Sequence, residues 1–237
     1  MNVTSNELDL AGTIRPGLDT LANEIVIALK RRSRFPQNQP VYTPGLVTSA
    51  ADLSLLQYEL LAAERNHAEL GRYAYAAQDS FNDMSHITTV IKRSKPQSAV
   101  KPMPSGVGKK IIDFYLHWVG KACAPGTDEN TYGETVTTDV LTLLAVMERV
   151  NLGKVVAESK LQEQPQEFLA TKGDREAMLS LIVRPDRQDK VFDLAKELAL
   201  RYEVPEPHVI SIFEFMVATT IDIEVDYLRV RLTQMQA

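Results

Sequence analysis

The stretch Thr138–Gln162, TDVLTLLAVMERVNLGKVVAESKLQ, reads as one long helix. Val140, Leu141, Leu144, Met147, Leu152, Val155 and Val156 recur along it at helical spacing. Two cations, Arg149 and Lys160, stand eleven positions apart. At about 100° per residue they are separated by about 1100°, only about 20° from whole turns, so both project from one face. Ala145, Val146, Gly153 and Val156 share that face. A glycine-notched apolar stripe with two cations reads in two ways. It is a pocket for an anion, or it is a core edge past which two surface cations extend their stems.

The rest of the chain narrows the classes. With 237 residues it can form one large domain or two small ones around a real core. Apolar content of 44% and charged content of 24% are those of an ordinary globular protein. A net charge of −5 argues against broad binding to nucleic acid or an anionic membrane, so any anion site must be a local cluster. One cysteine, Cys123, excludes an internal disulfide and suits a reducing compartment. The opening MNVTSNELDLAGTIRPG lacks the apolar run of a signal peptide, and no run of about 18 apolar residues occurs anywhere. A cytoplasmic protein is expected, with residues 1–12 loosely ordered.

In chain order, Thr13 is a candidate N-cap for a helix to about Arg32, with Pro16 in its first turn and Leu18, Leu21, Ile25 and Leu29 as its apolar face. Arg15 heads that helix. A proline-punctuated loop follows, then a second helix over about Ala50–Tyr73. On its apolar face His67 reads as a core histidine with a hydrogen-bonded partner, and no histidine spacing completes a metal site. The region Ala76–Ser105 reads as weakly helical, then as loop. Its end, SGVGKK, is not a phosphate-binding loop, because Met103 and Lys110 occupy the wrong positions. Helices are expected over Lys109–Ala122, in two short pieces broken near Lys172–Gly173, over Asp186–Tyr202, and from about Pro207 to the end.

The last helix has an apolar stripe interrupted by Thr220 and Glu224. A carboxylate on a buried side must be paired or carry a raised pKa, so Glu224 is either a functional group or half of an ion pair. Asp226, on the opposite side, can pair with Arg229 or Arg231. Strand signals are absent. The expected fold is all-α, a single-domain helical bundle spanning residues 1–237.

Four collinear segments carry a resemblance. They are IRPGLDTLANEIVIALKRRSRFPQNQPVY from Ile14, HAELGRY from His67, NTYGETVTTDVLTLLAVMERVNLGKVVAESKLQ from Asn130, and ATTIDIEVDYLRVRL from Ala218. In order and pattern they resemble the eukaryotic, yeast- and plant-type chorismate mutases of the AroQ class. The likeness runs from about Ile14 to Leu232 and weakens between Ala74 and Glu129. It implies the AroQ-type helical bundle and a Claisen rearrangement of chorismate to prephenate, with no cofactor and no metal. Such a unimolecular reaction explains a sequence without a nucleophile–base set.

Carried over by position, the resemblance assigns Arg15 and Arg149 to the substrate's two carboxylates. Lys160 would donate to the ether oxygen and a carboxylate, and protonated Glu224 to the same oxygen. Thr220 would contact a carboxylate. A family glutamate that bonds the ring hydroxyl is replaced here by Gln188, which can still do so. Arg184 stands where yeast-type enzymes have asparagine, and Pro16–Gly17 after Arg15 is unusual. Gly153, between the two helix cations, would leave room for the substrate.

The family also implies a homodimer whose interface binds aromatic amino acids, at positions matching Gly71, Arg72, Asn130, Gly133 and Thr137. Glu134 adds a carboxylate there, so regulation by Trp or Tyr stays open. A different class of reading keeps the fold but makes the chain a weak or inactive helical dimer that serves as a binding partner. Five retained polar groups, Arg15, Arg149, Lys160, Thr220 and Glu224, favour the enzyme.

Overall fold

A computed structural model describes residues 8–94 and 98–236. Among these residues eight α-helices form and no strand does, apart from one isolated bridge between Pro44 and Ser54. They are α1 Arg15–Arg32, α2 Leu55–Glu69, α3 Gly108–Ala122, α4 Tyr132–Glu163, α5 Pro165–Ala170, α6 Arg175–Ile182, α7 Pro185–Tyr202 and α8 Glu206–Gln236. No described helix is long and apolar enough to cross a membrane.

At 32 residues α4 is about 48 Å long and passes between α1 and α8, with α2, α3 and α5 also against it. Two apolar clusters form around it. One gathers α1, α3 and α7 through Leu29, Tyr115, Trp118 and Leu198; the other gathers α5 and α6 through Phe168 and Met178. Both include residues of α4 and α8. The sequence stripe suggested one buried face, yet α4 is buried almost all round, with Leu141 left exposed.

A helix enclosed in this way must have its charges matched, since an unpaired buried ion costs several kcal/mol. Asp139, fully buried, accepts from Arg32 Nε at 2.7 Å, Tyr115 at 2.7 Å and Tyr42 at 2.8 Å. Arg32 also donates to the carbonyls of Phe35, Pro36 and Gln37, which tie the post-α1 loop to the core, and to the Tyr42 hydroxyl and Cys123 Sγ. Lys154, also fully buried, binds both oxygens of Asp79 at 2.8 Å. Glu158 accepts from Tyr227 at 2.6 Å and Arg231 at 2.8 Å.

Several local readings change. Asp9, not Thr13, makes the N-terminal cap: it accepts from the backbones of Ala11 and Gly12 and starts a π-helical turn, Leu10–Ile14, that runs into α1. The Leu8 carbonyl accepts from Ser159, so residues 8–12 are anchored; residues 1–7 lie outside the described residues. Helix α2 is shorter than its apolar pattern, because Ser54 and Gln57 form a capping box at its start. The expected helical half of Ala76–Ser105 is irregular chain, held by Asp79 and by Glu64, which accepts from the backbones of Phe81 and Asn82. His67 is half-buried and its Nδ1 has no partner among the described residues. Arg231 pairs with Glu158 and Arg229 donates to the Gly173 carbonyl, so neither serves Asp226.

Candidate active site

Helices α1, α4, α7 and α8 enclose a cavity of about 340 Å³. Arg15, Arg149, Lys160, Gln188, Thr220 and Glu224 all line it, although they come from four separate helices. Apolar walls are supplied by Leu18, Val156, Val191, Leu194, Val217 and Ile221. An adjoining cavity of about 280 Å³ shares Leu10, Arg15, Lys160, Arg184 and Arg187 with it.

Arg149 is 7% exposed and its Nε has no hydrogen-bond partner among the described residues. Burial pushes its pKa down to about 10, with Asp19 and Glu224 acting in the opposite direction. Thr220 Oγ1 is a second buried polar atom in the same wall without a partner. Lys160 is satisfied: its ammonium donates to Glu224 at 2.8 Å and to the Ile182 carbonyl at 3.0 Å. That carbonyl closes α6, where the helix dipole favours a cation. Burial holds the Glu224 carboxyl above the ordinary carboxylate range, against the pull of Lys160 and Arg149.

The two open readings therefore converge. Glu224 is half of an ion pair and also a wall of the cavity; Arg149 and Lys160 lie on one face, and that face is concave rather than a core edge. Gly153 has a different part from the expected one. A Cβ there would stand 3.0 Å from the Thr220 carbonyl oxygen and 3.1 Å from its methyl. The missing side chain lets α4 and α8 approach, instead of making room for a ligand.

Gln188 lies in the first turn of α7, half-buried in the cavity wall. Arg184 and Arg187 are exposed and line both cavities, Arg187 only 3.6 Å from Asp186. Sequence reasoning passed over Asp19, one turn after Arg15 and also in the wall; spacing along α1 could have found it.

The candidate effector positions do not assemble. Arg72 binds Glu148 at 2.6 Å in the middle of α4. Gly133 and Thr137 are exposed at the N-terminal end of the same helix, and Asn130 is exposed in the turn that precedes it. Glu148 lies about 16 Å further along the axis than Thr137.

An all-helical protein with a cation-rich cavity, a buried guanidinium whose Nε has no acceptor among the described residues and a carboxyl of raised pKa belongs to the class that binds and orients a small anion. No protein-family model matches the chain. The chorismate mutase of Schizosaccharomyces pombe is 28% identical over 252 residues, covering 98% of this chain and 100% of the relative. Chorismate mutase 2 of Arabidopsis thaliana is 30% identical over 183 residues, covering 75% of this chain and 69% of the relative. In fold, the crystal structure of the Candida albicans chorismate mutase in complex with L-Trp matches with a TM-score of 0.89 at 24% identity, covering 95% of this chain and 92% of that one. The chain belongs to the chorismate mutase family. It is an isomerase that converts chorismate to prephenate by a Claisen rearrangement, on the route to phenylalanine and tyrosine.

The α4–α8 approach makes a prediction. Gly153→Ala should overpack the contact at Thr220, cost about 1–3 kcal/mol of stability, and lower turnover by displacing Thr220 and Glu224. Denaturant midpoints and turnover together check it; a variant matching the parent in both would show that the contact has slack.

Proposed function

We propose that chorismate rearranges in the 340 Å³ cavity and that Arg15, Arg149, Lys160, Gln188, Thr220 and Glu224 carry the reaction. The observation that supports this is the buried Arg149 Nε without an acceptor. A ligand carboxylate meeting that guanidinium in bidentate fashion would relieve a burial cost that the protein leaves standing. Arg15 takes the second carboxylate from the α1 wall, and Thr220 offers its unpartnered hydroxyl to one of the two. Gln188 bonds the ring hydroxyl.

The reaction breaks an ether C–O bond while a C–C bond forms within one molecule, so catalysis consists of posture and charge. The clamps hold the enolpyruvyl arm over the ring. As negative charge grows on the ether oxygen, Lys160 and protonated Glu224 donate to it from fixed positions in a wall largely shielded from water. The 2.8 Å Lys160–Glu224 pair keeps both groups aimed at one point before substrate arrives.

Two measurements on purified protein test these roles. Chorismate absorbance should be consumed, and Lys160→Ala should lose about 10²-fold or more in rate, as for removal of one preorganised donor. Near-normal turnover in that variant would sink the assignment, and an inert parent protein would favour a helical binding module. The second is the pH profile. Glu224 donates only when protonated, and burial raises its pKa, so the competent form extends above the ordinary carboxylate range near 4.3. Activity should be highest on the acid side and fall as pH rises through the folded-state pKa. Glu224→Gln keeps a donor that cannot ionise, so its profile should be flat. A flat profile in the parent enzyme contradicts the scheme.

The chain reads as one domain acting as a cytoplasmic homodimer. Shared use of α4 and α8 by both apolar clusters supports the first point, and the buried, unpaired Cys123 suits a reducing compartment. For the dimer, the support is the separation of Arg72 from Asn130, Gly133 and Thr137: a site using all of them needs a second chain. An aromatic amino acid is the effector class for such a site; the Candida relative forms a complex with L-Trp, and another neighbour of the same fold holds tyrosine in an allosteric site. The carboxylate of Glu134 would repel an amino acid's carboxylate and attract its ammonium. Light scattering should return about twice the 26.5 kDa chain mass. A monomer whose activity still responds to Trp or Tyr would overturn the shared-site reading.

A further inference from the structure

Two carboxylates line the main cavity, Asp19 and Glu224. They face different neighbours. Glu224 is engaged with Lys160 at 2.8 Å. Asp19 sits on α1 one turn beyond Arg15, about 40° round the axis, so both side chains address the same space. Asp19 is exposed and lines the same cavity as the buried Arg149, whose Nε has no hydrogen-bonded acceptor among the described residues. Of the acidic groups that act on Arg149, Asp19 has the larger effect and Glu224 the smaller. Arg149 in turn pulls Asp19 toward its charged form, against the burial that opposes it.

We infer that Asp19 is the resident counter-ion of Arg149 and a specificity-determining residue that limits how tightly the site holds dicarboxylates. In the ligand-free protein it offsets a buried positive charge through space without occupying the seat. Once a ligand carboxylate takes that seat, Asp19 becomes a nearby like charge. Substrate and product are both dicarboxylates, so Asp19 weakens both by a similar factor and leaves the difference between ground state and transition state largely alone. Its effect belongs to uniform binding: on KM and on product release rather than on the chemical step. Arg15, Arg184, Arg187 and Lys190, which also line the cavity, are cations. Without Asp19 the pocket would favour any small polyanion, including the product it must release.

The inference rests on Arg149 as a carboxylate seat, and its test separates the two ideas. In the full-length enzyme, Asp19→Asn should lower KM for chorismate and the inhibition constant of prephenate together, each by about two- to fivefold, as for loss of one partly exposed charge interaction. Turnover at saturation should fall by no more than KM does; a larger fall would place Asp19 in the chemical step and overturn the inference. Asp19→Glu, which keeps the charge on a longer arm, should return KM toward the parent value. A neutral variant with unchanged or raised KM overturns the inference, the raised case by showing that Asp19 contacts substrate. Arg149→Ala is measured alongside: if it raises KM while Asp19→Asn does nothing, the seat stands and the counter-ion fails. If Arg149→Ala leaves KM untouched, both fail.

Discussion

A helix enclosed by its neighbours can carry charge only where something answers it, and α4 is such a helix. Three of its ions are answered from inside the protein: Asp139 by Arg32, Tyr42 and Tyr115, Lys154 by Asp79, and Glu158 by Tyr227 and Arg231. Each pair also pins a different part of the chain to α4. Arg32 fixes the end of α1, Asp79 fixes the long irregular segment before α3, and Arg231 fixes the end of α8. Breaking any one by removing a partner is expensive, on the order of 3–5 kcal/mol, because the other ion stays buried. Arg149, on the same helix and comparably buried, is the exception at its Nε. The structure supports that exposed cost with the surplus from the rest of the fold, and the site is where it is left open.

The geometry that follows is set by how close α4 and α8 come. With Gly153 against the Thr220 carbonyl, the two axes are near enough for Lys160 and Glu224 to reach each other directly. A larger residue at 153 would separate them. Arg149 and Lys160 are about 16 Å apart along α4 at their Cα atoms, and their long side chains close that interval from its two ends. A rigid helix thus sets the spacing between the proposed carboxylate clamp, Arg149, and the proposed donor to the ether oxygen, Lys160. Rearrangement within one molecule asks for little else: no nucleophile has to be activated, so stiffness and placement of charge carry the burden.

Much of this was legible in the residues, and the boundary is physical. Helices α3, α7 and α8 follow from apolar spacing and from Pro185 and Pro207 at their starts, all of which are local. The common face of Arg149 and Lys160 follows from angular arithmetic on one helix. What was hidden depends on partners distant in sequence. The burial of Lys154 has no local signal, because Asp79, its partner, lies 75 residues away in a stretch with no periodic pattern. Arg32 and Asp139 are separated by 107 positions. Gly153 was read as space for a ligand because its neighbour on α8 could not be seen from α4 alone. The cap of α1 was misplaced for a smaller reason: Thr13 is a good capping residue, but Asp9 starts a turn four residues sooner.

Pairing also explains why the Glu224 question had no answer from its own helix. A stripe position occupied by a carboxylate tells only that the group must be neutral or matched, and both solutions leave the same sequence pattern. Here the protein uses both at once. Lys160 matches the carboxylate, while burial raises its proton affinity, so two opposing influences act on one group. Placing it deeper without the lysine would lock the proton on; exposing it beside the lysine would strip the proton off. In the wall shared by α4, α6 and α8 the Ile182 carbonyl shares the ammonium, so Lys160 does not commit wholly to Glu224. Both influences on Glu224 come from the meeting of three helices rather than from its own.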